Sequence, residues 1–260
     1  MKQRVQIPLR HFFATPPAPC PYLPDRMERK VVTLLLGEQS DRLHEALAHA
    51  GFRRSQDLAY RPACDSCSAC VSVRVPVHQF AAGRSLKRVE RANQGIDLRF
   101  LPPLATGEHY SLFRRYILAR HSGGGMADMD FGDYRAMVED TPVRTQIVEF
   151  RETGGRLYGV ALTDRMDDGL SLVYSFFEPQ LAGRSPGTYM ILRHIQEALT
   201  ARMGYVYLGY WVANSAKMAY KARFKPLEVL RASGWQRLDP PATEAGTAPP
   251  LPPDLLYANG

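Results

Sequence analysis

Four cysteines are the residues of this 260-residue chain whose type and spacing most directly suggest chemistry. Three follow the pattern Cys64-x2-Cys67-x2-Cys70, and Cys20 precedes them by 44 residues. Four thiolates suit a tetrahedral zinc ion or an iron–sulfur cluster. The first residues show no apolar stretch typical of a secretory signal, so a disulfide framework is not expected. The spacing predicts one metal site made by all four cysteines, with a group of reduced thiols and no metal as the alternative.

Basic residues are the second chemical feature, and they indicate an anionic partner. The chain has 33 Lys and Arg against 26 Asp and Glu, for a net charge of +7 and a pI near 9.3. A surplus of this size favours nucleic acid or an acidic substrate. One group has the spacing i, i+3, i+4, i+7, which on a helix makes a single basic stripe: Arg84, Lys87, Arg88 and Arg91. Such a stripe can contact successive phosphates of tRNA, and a solvated helix face is the alternative.

A second basic run is interleaved with aromatic and apolar residues. Its members are Lys217, Met218, Tyr220, Lys221, Arg223, Phe224 and Lys225. Aromatic rings between basic side chains can stack on bases. In the alternative interpretation, Met218 and Phe224 belong to the core and the lysines are their solvated neighbours.

The segment Gly183–Gly187 matches two motifs of unrelated enzymes. Its G-x-S-x-G pattern is that of a hydrolase nucleophile elbow. The elbow needs a backbone N–H after the serine, and Pro186 has none, so we reject this match. The same loop has the R-x-x-G of a phosphate-cradling turn in CoA-dependent acetyltransferases. Pro186 removes a donor there and Tyr189 is bulky, so CoA is disfavoured, and a loop that caps the next helix is the alternative.

Hydropathy periodicity predicts the elements that must position these groups. In the first half we expect strands over 30–36 and 71–77 and helices over 40–50, 85–94 and 106–121. In the second half we expect three antiparallel strands between 143 and 178, a helix over 189–203, a strand over 205–211 and a helix over 215–224. This order predicts an α+β protein, and it resembles the core of the GNAT-like acyltransferase fold.

Composition divides the chain into three predicted parts. Residues 101–105, LPPLA, read as a linker. We therefore expect an N-terminal cysteine-containing subdomain over 1–100 and a GNAT-like domain over 101–238. Residues 239–260 contain six of the twenty prolines and predict a disordered tail. The longest apolar run, 31–36, is far too short to span a bilayer.

Several segments together resemble the aminoacyl-tRNA–protein transferases. They are CPYLP (20–24), GFRRS (51–55), YRP (60–62), YSFFEP (174–179), SPGTY (185–189), YLGYW (207–211) and KMAYK (217–221). The resemblance covers roughly residues 10–235. It is closest to the bacterial aspartate/glutamate leucyltransferase branch rather than to the longer eukaryotic arginyltransferases. Eukaryotic members carry a CxxC pair and a CC pair, whereas this chain has Cys20 alone and then the CxxCxxC of residues 64–70.

The resemblance implies a cytoplasmic enzyme that transfers leucine from leucyl-tRNA to the N-terminal Asp or Glu of proteins. The new N-terminus would mark them for degradation in the N-end rule pathway. No cofactor would be required for transfer, and zinc or an iron–sulfur cluster would be an addition at the cysteines. Arginine transfer by the same family is the alternative. A CoA-dependent acetyltransferase and a non-catalytic RNA-binding protein represent other classes.

The chemistry of such a transfer explains which residues the sequence offers and which it does not. An aminoacyl ester is already activated, so no serine or cysteine nucleophile is needed, and no catalytic base can be assigned. An acidic acceptor side chain needs a cation with fork geometry, which Arg53, Arg54 or Arg184 can supply. The other substrate-binding residues that the matched motifs imply are Tyr174, Lys217, Tyr220 and Lys221.

Overall fold

The structure, a computed structural model, describes residues 11–120 and 125–238. The predicted tail over 239–260 lies outside the described residues. The strands are β1 (Phe13–Ala14), β2 (Ala18–Pro19), β3 (Met27–Glu28), β4 (Lys30–Leu34), β5 (Arg53–Ser55), β6 (Leu58–Pro62), β7 (Val71–Pro76), β8 (Ile96–Leu101), β9 (Thr145–Glu152), β10 (Leu157–Arg165), β11 (Gly169–Phe177), β12 (Tyr205–Trp211), β13 (Glu228–Arg231) and β14 (Gly234–Arg237). The α-helices are α1 (Ser40–His49), α2 (Arg84–Ala92), α3 (Gly107–Arg120), α4 (Phe131–Glu139) and α5 (Pro186–Thr200).

These elements fall into two compact units. The N-terminal unit holds the described residues up to Val73, Tyr210–Arg223 and those from Leu227 on. The central unit holds Arg74–Gly209 and Phe224–Pro226. This division differs from the predicted boundary at 101–105. That segment follows β8, which pairs with β9, so it connects two elements of the central unit.

The N-terminal unit is built on an antiparallel sheet with the strand order β1-β4-β6-β5. Helix α1 buries Leu43 and Leu47 on one face, as its predicted periodicity requires. The helix ends before Gly51, whose φ is +86°. A side chain at Gly51 would also approach Leu230 to 2.8 Å, so the predicted helix stop is confirmed with a steric reason.

In the central unit the strand order is β12-β11-β10-β9-β8. The three antiparallel strands predicted between 143 and 178 are confirmed as β9, β10 and β11. Strand β12 pairs with β11 in parallel, and α5 connects the two. An aromatic core of Phe113, Tyr134 and Phe176 lies where α3 and α4 meet the sheet. Mixed helices and sheets confirm the α+β class.

Two predictions about helices were wrong. Hydropathy periodicity did not indicate α4, although Asp130 and Asp133 form a capping box at the start of this helix. The helix predicted over 215–224 is only a short 3-10 helix, Ala219–Arg223. The ten-residue run is followed by Pro226, and a proline disfavours helical backbone at the residue before it. None of the helices in the described ranges has the length and apolarity that crossing a membrane requires.

Gly169 is a position where the backbones of β11 and β12 approach closely. A Cβ atom there would lie 2.3 Å from the carbonyl oxygen of Tyr205. We expect Gly169→Ala to lower the free energy of unfolding by about 1–3 kcal/mol, because the strand backbone must shift. Gly154→Ala is the control, since nothing lies within 4 Å of a Cβ at that position. Urea denaturation compares the two variants, and equal stabilities would contradict the prediction.

Candidate functional site

Lys221 is a buried lysine of the N-terminal unit. It lies in the 3-10 helix Ala219–Arg223 and is only 6% exposed. Its ammonium donates a hydrogen bond to the carbonyl oxygen of Tyr210 at 2.5 Å. Burial, and then the positive charge of Arg53, lower the pKa of Lys221 to about 7. Its amine therefore exchanges a proton near neutral pH.

Tyr210 and Arg53 act on this lysine directly, and Tyr60 adjoins both of them. Arg53 and Tyr60 are directly opposed across β5 and β6, so their side chains share one face of the sheet. The ring of Tyr210 lies 6.2 Å from that of Tyr60. The hydroxyl of Tyr210 is 2.9 Å from the carbonyl oxygens of both Gly51 and Tyr60. We call Lys221, Arg53, Tyr60 and Tyr210 the Lys221 cluster.

Arg53 is the charged neighbour that acts on Lys221. Its guanidinium lowers the pKa of Lys221, so two cationic side chains of one unit lie close together. Such a pair attracts an anionic ligand, and a carboxylate has the geometry that an arginine fork prefers.

Arg54 has a different environment from Arg53, because successive strand residues point to opposite faces. Arg54 is buried and donates to the carbonyl oxygen of Gln56 at 2.8 Å. Gln56 has a φ of +54°, in the left-handed region, so this bond supports the turn between β5 and β6. Of the two adjacent arginines, Arg53 is the one that belongs to the Lys221 cluster.

The remaining predicted substrate-binding residues are divided between the two units. Lys217 and Tyr220 belong to the N-terminal unit and are exposed. Tyr174 belongs to the central unit, where it packs against Phe113 and where burial raises the pKa of its phenol. Arg184 is also in the central unit. Its Nε donates to the carbonyl oxygen of Ala92 at 2.9 Å.

The four cysteines line one cleft of the N-terminal unit. The cleft has a volume of about 290 Å³, and all four thiols are free and half-buried. Burial, and then the charges of Cys20, Cys64 and Cys67, raise the pKa of Cys70 to about 12. No three of the four sulfur atoms lie within 4.8 Å of one another. Cys20, although distant in sequence, lines the same cleft as the other three cysteines. The group is wider than a zinc tetrahedron, in which the sulfurs lie about 3.8 Å apart.

Tyr22 connects the cysteine cleft electrostatically with the Lys221 cluster. Burial most of all, and then Tyr60 and Cys70, raise the pKa of Tyr22 to about 12 against the opposing charge of Arg53. Its phenol thus stays protonated at neutral pH. From the sequence, Tyr22 is recognisable only as part of the CPYLP motif. Its electrostatic neighbours could not be predicted, because they come from segments far apart in the chain.

The basic stripe predicted on a helix is confirmed as a surface feature of α2. Arg84, Lys87, Arg88 and Arg91 are all exposed. On the other side of α2, Leu86 and Val89 are buried. The helix thus presents its four cations to solvent, and no acidic residue of the helix shares their stripe.

The lowered pKa of Lys221 predicts how the free energy of unfolding depends on pH. The pKa of lysine in an unfolded chain is about 10.4, whereas that of Lys221 in the folded protein is about 7. Between these values the unfolded chain binds the proton and the folded chain does not. The free energy of unfolding should therefore rise with pH above 7, by up to about 1.4 kcal/mol per pH unit.

Urea denaturation of the unmodified chain and of Lys221→Met at pH 7, 8 and 9 measures this contribution. As the pH rises, the free energy of unfolding of the unmodified chain should increase relative to that of Lys221→Met. Lys217→Met is the control, because Lys217 is exposed and its removal should leave the pH dependence unchanged. Parallel profiles for the unmodified chain and Lys221→Met would contradict the prediction.

Comparison with known proteins places these features in a family. Residues 18–88 match the family model described as arginine-tRNA-protein transferase, N terminus, and residues 108–231 match its C terminus. An aspartate/glutamate leucyltransferase of Paramagnetospirillum magneticum is 52% identical, covering 88% of this chain and 94% of that protein. One of Parvibaculum lavamentivorans is 56% identical, covering 86% and 93%.

Among solved structures, L-PGS from Bacillus licheniformis matches with a TM-score of 0.42 and 14% identity, covering 55% of this chain and 46% of that one. This likeness is too slight to add to the sequence matches. The two family models cover both halves of the chain, and the relatives are more than 50% identical over most of it. The chain therefore belongs to the arginine-tRNA-protein transferase family.

Proposed function

We propose that this aminoacyltransferase moves leucine from leucyl-tRNA to the N-terminal Asp or Glu of acceptor proteins. The observation that carries the proposal is the Lys221 cluster, in which a buried lysine and Arg53 bring two cations together. The carboxylate of an N-terminal Asp or Glu would bind to these cations. The names of the relatives support leucine as the transferred residue and Asp or Glu as the acceptor.

The reaction requires positioning more than nucleophilic activation. The α-amine of the acceptor attacks the ester carbonyl of the aminoacyl-tRNA, a C–N bond forms, and the C–O bond to the terminal ribose breaks. One proton of the amine passes to the departing ribose oxygen, which leaves as a hydroxyl of the tRNA. The α-amine has an ordinary pKa of about 7.7–8.0, so a useful neutral fraction exists at pH 7. Arg53 would hold the acceptor carboxylate by its fork, and Lys221 would add a second cation.

Arginine transfer is the second candidate, because the matching family model is described by arginine-tRNA. The two candidates share the acceptor site and differ only in the aminoacyl group. Lys217 and Tyr220, exposed in the N-terminal unit, and Tyr174 in the central unit remain proposed substrate contacts.

The stripe on α2 would bind the phosphates of the tRNA. Its four exposed cations come from two successive turns of the helix, a spacing that suits a nucleic-acid backbone. We also propose that the central unit has a GNAT-like core. The run β9–β10–β11, then α5 and the parallel strand β12, supports that comparison.

The proposed substrates set the cellular context. Aminoacyl-tRNA is a cytoplasmic substrate, so the reaction belongs in the cytoplasm. Leucine at the N-terminus would direct the acceptor to degradation by the N-end rule pathway. Arg184 remains a proposed contact of substrate, although its guanidinium also pairs with Glu152 at 3.1 Å.

The four cysteines would hold a zinc ion or an iron–sulfur cluster. Their donor chemistry fits both, and they converge on one cleft. When bound, the group would stabilise the fold around the cleft and would not take part in the transfer. Because Cys70 has a pKa of about 12, binding must displace its proton.

Metal analysis of the protein purified without oxygen tests the cysteine site. If the site holds zinc, we expect about one zinc ion per chain. If it holds an iron–sulfur cluster, we expect several irons with a matching amount of sulfide and a visible absorption band. Cys70→Ser should lose the metal and unfold at a lower temperature. Leu23→Val, on the same cleft and without a ligand atom, should retain it. Metal-free protein with an unchanged unfolding temperature in Cys70→Ser would contradict the proposal.

The transfer itself is tested with purified protein, charged tRNA and peptides that begin with Asp, Glu or Ala. We expect leucyl-tRNA to add one leucine to the Asp and Glu peptides and none to the Ala peptide, as read by mass. Arginyl-tRNA should give no product. Product with arginyl-tRNA alone would favour the second candidate, and no product with either would refute the transferase assignment of this site.

Replacement of Arg53 tests the acceptor site in the same assay. Arg53→Gln should lower kcat/KM for the Asp and Glu peptides by about 10- to 100-fold, since one charged hydrogen-bonding group is worth about 1.5–3 kcal/mol. The Michaelis constant for leucyl-tRNA should not change. Arg42→Gln, an exposed position on α1, is the control of the same charge change. An equal loss in both variants would contradict the role of Arg53.

A further inference from the structure

We propose that three arginines of the central unit, Arg115, Arg120 and Arg156, bind the unpaired 3′ end of the tRNA. We call these residues the Glu178 arginines, after the carboxylate around which two of them lie. The proposal rests on the proposed function and adds the place where the end of the tRNA that carries the amino acid would lie.

Glu178 holds two of these arginines. It lies directly after β11 and is only 4% exposed. Its Oε2 accepts a hydrogen bond from Nη2 of Arg115 at 3.0 Å, and Nη2 of Arg156 lies 4.0 Å from the same oxygen. One buried carboxylate thus orients two arginines whose side chains are 52% and 55% exposed. Each guanidinium has five N–H donors, so most of them remain directed to solvent.

An aromatic group adjoins these charges. The guanidinium of Arg120 lies 5.4 Å from the ring centre of Phe177, the residue just before Glu178. Tyr116, on the same helix as Arg115 and Arg120, contacts the ring of Phe177 edge-on, with 4.9 Å between the centres. The exposed guanidinium of Arg120 is therefore supported on an aromatic face. Planar guanidinium groups held in this way stack on unpaired bases.

The Glu178 arginines continue the basic stripe of α2 through a chain of contacts inside the central unit. Arg184 donates from Nε to the carbonyl oxygen of Ala92, the last residue of α2. It also pairs with Glu152 at 3.1 Å. The backbone N–H of Glu152 in turn donates to the carbonyl oxygen of Arg156 at 2.9 Å. Basic groups thus extend from α2 through Arg184 to Arg156.

The two ends of this path differ in what they can bind. The α2 stripe consists of four exposed cations without an aromatic residue between them, which suits a duplex backbone. The Glu178 arginines combine charge with an aromatic support, which suits single-stranded nucleotides. In an aminoacyl-tRNA the unpaired segment that carries the amino acid is the 3′ end. The same arginines could instead bind an acidic peptide, and removing their charge would then weaken peptide binding. The experiment must therefore distinguish binding of tRNA from binding of the peptide.

Binding of uncharged tRNA, measured by anisotropy at one fixed salt concentration, provides the test. We compare a full-length tRNA with one that lacks its unpaired 3′ nucleotides. Arg120→Gln and Arg156→Gln should each weaken binding of the full-length tRNA about tenfold and leave binding of the shortened tRNA unchanged. Lys87→Gln, on α2, should weaken binding of both. Arg115→Gln is a further variant, checked for its unfolding temperature because Arg115 neutralises Glu178.

Arg165→Gln is the matched control, because Arg165 is exposed at the far end of β10, roughly 30 Å from Arg156 along the strand. Equal losses with both tRNAs would overturn the proposal, since the arginines would then contact the duplex. No loss with either tRNA, or a higher KM for the acidic peptide alone, would also overturn it. If the unmodified protein neither binds tRNA nor transfers leucine, the proposed function itself fails.

Discussion

Burial of Lys221 is the constraint on which the Lys221 cluster depends. Removing an ammonium from water costs free energy that a single carbonyl hydrogen bond offsets only in part. Lys221 has its bond to the carbonyl oxygen of Tyr210, and the charge of Arg53 further favours the neutral amine. Strands β5 and β6 and the 3-10 helix around Lys221 keep these groups together.

The central unit uses buried charge in the opposite sense. Glu178 is a buried acid that two arginines neutralise from the surface. The carboxylate is satisfied, and the arginines are held in fixed directions while most of their donors face solvent. A buried acid thus organises an exposed cationic surface, whereas in the Lys221 cluster the buried group is a lysine with a second cation as its neighbour.

The cysteine cleft shows how the N-terminal unit gathers residues that are distant in sequence. Cys20 follows β2, and Cys64 follows β6. Strand β4 pairs with β6 and lies just after β3, the partner of β2. Strand pairing therefore carries Cys20 to the three clustered cysteines. Tyr22, two residues after Cys20, interacts electrostatically with both Cys70 and Arg53.

Local patterns in the sequence were sufficient to predict the α+β class, the antiparallel run β9–β11, the helices α1, α2 and α3, and the exposed stripe on α2. Each of these depends on residue periodicity within a single element. The family resemblance was also readable from short motifs, and the family matches confirm it. By contrast, sequence reasoning placed Arg53, Arg54 and Arg184 in one group, and the structure assigns them to different environments, because alternation along β5 and contacts between distant elements decide where a side chain points. Burial of Lys221, the pairing of Glu178 with Arg115 and the meeting of Cys20 with Cys70 are likewise properties of the tertiary structure, since each joins residues from segments far apart in the chain.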